Sequence, residues 1–221
     1  MAYEERGEIQ MPEKVIENNK VTVIGKITEE FVFSHEVFGE GFYTTNIAIN
    51  RLSEQADMIP VMISERLINV HDDLIGATVE ISGQFRSYNR HDVGKNRLVL
   101  SIFAREVNFI DEFDDYTKTN QIFLDGYICK APIYRKTPLG REIADLLVAV
   151  NRPYGKSDYI PCIAWGRNAR YAHGFEVGMR IRIWGRVQSR EYTKRISDTE
   201  SEKRVAYEVS VSKIECDSEE V

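Results

Sequence analysis

Between Met179 and Tyr192 the residues alternate. Ile181, Ile183 and Val187 fall on one parity, and Arg180, Arg182, Trp184, Arg186, Gln188, Arg190 and Tyr192 fall on the other. Period two is the pattern of a half-buried strand. Folded so, the stretch presents four arginines and two aromatic rings on one face, with no acid among them. A guanidinium neutralises phosphate, and a ring offers a flat surface for a nucleobase. The same residues also suit an ordinary solvated strand face, where arginines are common. The choice between the two depends on the elements that carry the stretch.

The chain has 221 residues, a formal net charge of −6 and 43% hydrophobic residues, enough for one large core or two small ones. An acidic balance argues against a polyanionic partner, but the charge is segregated. Up to Asp115 there are 11 basic and 21 acidic residues, a balance of −10, and beyond it 18 basic and 14 acidic, a balance of +4. The basic part contains the alternating stretch. Cys129, Cys162 and Cys216 have no paired spacing, which suits a reducing cytoplasm. His35, His71, His91 and His173 are scattered, without metal-ligand spacing. The polar, acidic start is not a signal peptide, and no apolar run reaches membrane-spanning length. Val93-Gly94-Lys95-Asn96 is too short to cradle phosphate, and no nucleophilic or acid–base constellation is present. A binding protein without cofactor or metal is expected, not an enzyme.

One unit is written twice. Asn19-Lys20-Val21-Thr22-Val23-Ile24-Gly25 matches Asn120-Gln121-Ile122-Phe123-Leu124-Asp125-Gly126 at an offset of 101. At the same offset Ala48-Ile49-Asn50-Arg51 falls on Ala149-Val150-Asn151-Arg152, and Asp57-Met58-Ile59-Pro60 on Asp158-Tyr159-Ile160-Pro161. After one inserted residue Gly76 falls on Gly178, Gly83 on Gly185 and Ser87 on Ser189. A register shared over this length is a duplicated domain. Each copy reads as five short strands with a short helix between the third and fourth, at Glu65 to Asp73 and at Arg167 to His173. That order predicts an all-β chain of two tandem OB-folds, small Greek-key barrels. Strand-interior glycines such as Gly25, Gly83, Gly126 and Gly185 suit the bends of a small barrel. The expected division is a flexible arm at 1–18, the first barrel at 19–110, a linker at 111–119, the second barrel at 120–215 and an acidic end at 216–221.

Copy two resembles the bacterial single-stranded DNA-binding protein family over essentially all of 120–215. The resemblance rests on Gly126, Pro132, Arg135, Pro138, Gly140, Ala149 and the Trp165-Gly166 pair. It continues through the glycine-led strand from Gly178 to Tyr192 and a last strand from Val205 to Ile214. It implies binding of single strands by base stacking on Tyr154, Tyr159, Trp165 and Tyr192, three of them Tyr where the family often has Trp. Strand parity independently lets Tyr159 and Trp165 point to one face. Around these rings Arg135, Arg152, Lys156, Arg182, Arg186, Arg190 and Lys194 are the expected phosphate contacts. Trp184 is left to a dimer contact or the groove edge. The loop from Thr193 to Arg204 is either a hairpin that folds over a bound strand or a solvated loop.

Copy one keeps the framework and lacks this chemistry. Opposite the four rings it has Ser53, Met58, Ser64 and Arg90, and opposite Arg180, Arg182, Trp184 and Arg186 it has Thr78, Glu80, Ser82 and Gln84. It is expected to act as scaffold, dimerisation or protein-docking domain, with a residual site at Phe42, Tyr43, Tyr88 and Arg86 as the alternative. The resemblance implies assembly of four barrels, hence a homodimer of this chain. It also implies work in DNA replication, recombination or repair, with replication or repair proteins as possible partners, in the cytoplasm and away from membranes. The chain runs to Glu219-Glu220-Val221 without the family's long linker and proline-phenylalanine tip, so recruitment through such a tail is not expected. The alternative function is a primosome-type OB-fold protein working mainly through protein contacts, with weak DNA binding.

Overall fold

The computed structural model describes residues 17–53, 55–92, 95–111, 118–195 and 201–217. Of the expected arm, linker and acidic end, only 17–18, 111, 118–119 and 216–217 lie within them. The first barrel comprises β1 (Asn19–Ile27), β2 (Val32–Val37), β3 (Glu40–Asn50), β4 (Ala56–Ser64), β5 (Thr78–Asp92) and β6 (Lys95–Phe109). The second comprises β7 (Asn120–Ile128), β8 (Ile133–Lys136), β9 (Glu142–Asn151), β10 (Ser157–Trp165), α1 (Arg167–Ala172), β11 (Arg180–Arg195) and β12 (Ser201–Cys216). β2 and β8 are short arms hairpinned onto β3 and β9, added to the five strands expected in each copy.

Alternation builds each barrel. Val21, Val23 and Ile27 of β1, Ile47 and Ile49 of β3, and Ile59, Val61 and Ile63 of β4 point inward and are almost completely buried. Ile122, Leu124 and Ile128, then Val148 and Val150, then Ile160 and Cys162, do the same in the second barrel. Each such side chain contributes roughly 1.5–3 kcal/mol of burial. The strand order β2-β3-β4-β6-β5-β1-β7-β11-β12-β10-β9-β8 reads the same from either end once each strand is exchanged for its duplicate. The barrels are therefore joined about a pseudo-twofold axis at the antiparallel pair β1–β7, where Val21 faces Ile122.

Both barrels bulge at the same glycine, between Ser82 and Gly83 and between Trp184 and Gly185. A Cβ at Gly83 would collide with the Phe103 carbonyl oxygen, and one at Gly185 with that of Ser210. Only glycine allows the strands to close there.

The copies differ where a helix was expected in each. Residues 167–172 form α1, helped by Ala169 and Ala172 packing inward. Residues 65–73 form turns instead. The Asn69 side chain accepts the His71 N–H at 3.3 Å and donates to Asp72 at 2.7 Å, a local alternative that competes with helical hydrogen bonding.

Candidate nucleic-acid interface

Duplicate hydrogen bonds brace each barrel from within and then join the two. Asn19 Nδ2 donates to the Phe85 carbonyl at 2.8 Å and its Oδ1 accepts the Phe85 N–H at 2.9 Å. Asn120 does the same with Val187, at 2.7 and 2.9 Å. Across the junction Asp57 accepts the Ser189 N–H, while Asp158 accepts the Ser87 N–H. Ser189 Oγ takes the Met58 N–H at 3.1 Å, and Ser87 Oγ takes the Tyr159 N–H at 2.7 Å.

Of the predicted rings, Tyr159 is bonded across this junction, through its backbone N–H. Tyr159 and Trp165 lie on the same parity of β10, 42% and 39% exposed; Tyr192 on β11 is 38% exposed. Tyr154, at 88%, stands on the 3-10 turn Pro153–Gly155 between β9 and β10. A buried hydrophobic ring would show almost no exposure, as Phe85 does at 0%. Trp165 shares a groove with Arg186 and Arg190, and Arg51 and Met58 of the first barrel form part of its wall. Tyr207 on β12 lines it too, brought there by its register opposite Ser189. Tyr207 and Arg51 were not singled out in the sequence; the pairing of β12 with β11 and the reciprocal junction put them in the groove.

The arginines differ in what they already hold. Arg190 lies against Glu208, with Nε 3.3 Å from Oε1, and its guanidinium is 6.0 Å from the Tyr192 ring centroid. The Glu208 hydrogen bond raises its pKa. Arg135 pairs with Asp145 at 2.9 Å in an exposed contact. Arg182 meets Asp217 at 2.7 Å and Glu215 at 3.6 Å. Arg152 Nε is 3.3 Å from the buried Asp158. Arg186 has Gln188 Oε1 at 3.4 Å, a neutral neighbour. Lys156 and Lys194 are exposed. The acids opposite β11 come from β7 and β12, so the alternation of β11 alone does not show them. Of these pairs, Arg135–Asp145 and Arg182–Asp217 are exposed on both sides and worth little, whereas Asp158 and Glu208 are buried.

Trp184 lies outside the groove, half-buried, 5.2 Å from Phe123 and capped by Lys213 at 4.5 Å. The stretch from Thr193 continues the hairpin: Thr193 faces Lys203 and Arg195 faces Ser201, with 196–200 outside the described residues. Among the described residues no group of His, Cys, Asp and Glu is placed to hold a metal ion, and no helix is long and apolar enough to cross a membrane.

The profile of the Single-strand binding protein family matches residues 119–217. Single-stranded DNA-binding protein 3 of Listeria innocua is 35% identical over 80 residues, 33% of this chain and 50% of that protein. Single-stranded DNA-binding protein 1 of Staphylococcus aureus is 31% identical over 106 residues, 45% of this chain and 58% of that one. The chain thus spans about half the length of the curated relatives it matches. Among solved structures, a deletion mutant of the single-stranded DNA binding protein from Thermus aquaticus superposes over 92% of this chain and 96% of its own, with a TM-score of 0.66 at 18% identity. That likeness extends over both barrels and shows the tandem OB-fold. A dimeric N-terminal domain of PriB from Thermoanaerobacter tencongensis is 42% identical over 43% of this chain and 100% of its own, with a TM-score of 0.39. The second barrel, residues 119–217, is thus the part of the chain that matches the single-strand binding protein family.

Proposed function

We propose that the protein binds single-stranded DNA with little sequence preference, the second barrel being its principal site. The observation that carries this is the groove uniting Trp165, Arg186 and Arg190 on a barrel that matches the single-strand binding family. Bases stack on Tyr154, Tyr159, Trp165 and Tyr192, a contact every base can make, worth roughly 1–3 kcal/mol each. Phosphates meet Arg186, Lys156 and Lys194 first, and Arg135, Arg152, Arg182 and Arg190 by exchange from their carboxylates. Such a protein is a binder rather than an enzyme, and it serves replication, recombination or repair in the cytoplasm. A homodimer bringing four barrels together belongs to the same proposal. Its contact lies away from β1 and β7, whose pairing joins the barrels within one chain.

Both tryptophans lie in the second barrel, so titrating the whole chain with poly(dT) tests the site directly. Fluorescence is expected to quench, with affinity falling as salt rises. The absence of both quenching and retention of labelled strand at low salt overturns the proposal.

A further inference from the structure

The first barrel lacks rings at the positions aligned with those of the second, yet it carries an aromatic array of its own. His35 of β2 stacks on Phe42 of β3, centroids 5.1 Å apart and planes 11° from parallel. Phe42 stacks on Phe103 of β6 at 5.7 Å and 29°. Arg86 of β5 lies over Phe103, its guanidinium carbon 3.9 Å from the ring centroid. Four strands thus contribute one member each. Their exposure sets them apart from core: His35 is exposed, and Phe42, Phe103 and Arg86 are half-buried.

The array borders a groove lined by His35, Arg86, Tyr88 and Phe103, with Arg152 entering from the second barrel. It is the pseudo-twofold mate of the groove at Trp165, into which Arg51 enters from the first barrel. Positive charge is concentrated here within the acidic half of the chain. Arg86 and Arg105 both donate to Gln84 Oε1, a neutral acceptor, at 2.8 and 3.4 Å. Burial, then repulsion from Arg152 and Arg105, lowers the Arg86 pKa to about 10. The buried Asp158, 3.3 Å from Arg152, offsets only part of this charge, since the Arg86 pKa is lowered in spite of it; an arriving anion stabilises the rest. The groove also adjoins the principal site: Ser87, between Arg86 and Tyr88, takes the backbone N–H of Tyr159.

We propose that this groove is a second nucleotide subsite, where bases of a single strand stack against the Phe42–Phe103 array and phosphates meet Arg86 and Arg152. A strand leaving Tyr159 then continues onto the first barrel, which serves as both brace and binding surface. This rests on the protein being a single-stranded DNA binder.

The test uses the intact chain with Phe42→Ala, Phe103→Leu or Arg86→Gln, each checked for an unchanged near-ultraviolet spectrum and melting temperature. One OB-fold accommodates about 4–16 nucleotides, so an oligothymidylate of about 8 probes one barrel and one of about 30 spans both. Expected is a loss of about tenfold in affinity for the long strand, with tryptophan quenching by the short strand unchanged. A 5-iodouracil-substituted long strand is expected to crosslink to peptides containing Phe42 or Phe103. Unchanged long-strand affinity in folded Arg86→Gln, with crosslinks confined to the second barrel, overturns the subsite and leaves the principal site standing. Failure of the unaltered chain to bind either strand overturns both.

Discussion

Asp57 of the first barrel accepts the backbone N–H of Ser189 in the second at 2.8 Å, and its duplicate Asp158 returns the bond to Ser87 at 2.7 Å. The two carboxylates are equally buried, yet their arginines serve them differently. Arg51 grips Asp57 with Nε at 2.7 Å and Nη2 at 2.5 Å. Arg152 reaches Asp158 only at 3.3 Å, and neither Asp158 Oδ2 nor Arg152 Nε makes an aligned hydrogen bond. Asp57→Asn is therefore expected to cost about 3–5 kcal/mol, the penalty for breaking a well-made buried pair. Asp158→Asn is expected to cost about 1 kcal/mol or less, since the Ser87 bond survives and no good ion pair is lost. Urea unfolding of both variants decides the order.

The same asymmetry has a pH signature. Burial pushes the Asp158 carboxyl above its ordinary value, against the pull of the Ser87 N–H and of Arg152 and Arg86. The folded state then binds that proton more tightly than the unfolded chain, so this group's contribution falls as pH rises through the raised pKa. Relative to Asp158→Asn, the unaltered chain is expected to gain stability as pH falls through the raised pKa toward the ordinary carboxylate range. Urea midpoints of the pair across that range, with their difference independent of pH, would count against it.

The duplication explains what could and could not be seen beforehand. Matching Asp57 to Asp158 and Ser87 to Ser189 revealed two barrels, but a linear register does not say that the matched residues bond to each other's copies. That follows only once β1 meets β7. Alternation identified β11 and its basic face, whereas Asp125, Glu208 and Asp217, which take up three of its arginines, arrive by strand pairing. The helix expected at 65–73 lost to the side-chain bonds of Asn69. Phe103 escaped notice for a related reason. It pairs with Met62 as Ser210 pairs with Ile163, so a search for rings at the second barrel's positions passes over it.

Trp165→Ala and Tyr192→Ala each remove one exposed ring from the second barrel. Each is expected to weaken binding of a dye-labelled oligothymidylate by about 5- to 150-fold, the range that follows from one lost stacking contact. Fluorescence anisotropy measures this without relying on the tryptophan removed. Because the rings are partly exposed, the melting temperature is expected to stay within a few degrees. A large fall in melting temperature would assign the ring to packing instead.

Tyr154 offers a sharper separation of stability from binding. Its φ of 62° lies in the left-handed region, costly for a side chain and open to glycine. Tyr154→Gly relieves that cost while raising the entropy of the unfolded chain, so stability is expected to change by no more than about 1 kcal/mol. Affinity for single-stranded DNA is nevertheless expected to fall at least about fivefold through the lost ring. Equal affinity with equal stability would remove Tyr154 from the stacking set.

Arg186 and Arg180 share a strand face but face opposite electrostatic circumstances. Arg180 is held by Asp125 in two hydrogen bonds, at 2.9 and 2.7 Å, and its pKa is raised chiefly by them. It lies on the side of the barrel that carries Trp184, paired through β7, away from the Trp165 groove. Arg186 lines that groove beside a neutral glutamine. For single strands each phosphate neutralised contributes about 0.7 to the slope of log affinity against log salt. Arg186→Gln is expected to reduce the slope by about that amount, weakening binding most at low salt. Arg180→Gln is expected to leave it unchanged, because the cation removed was already balanced by a carboxylate. Titrations at several salt concentrations distinguish the two, and equal slopes for both variants would mean that phosphate follows the whole basic face of β11 rather than the groove.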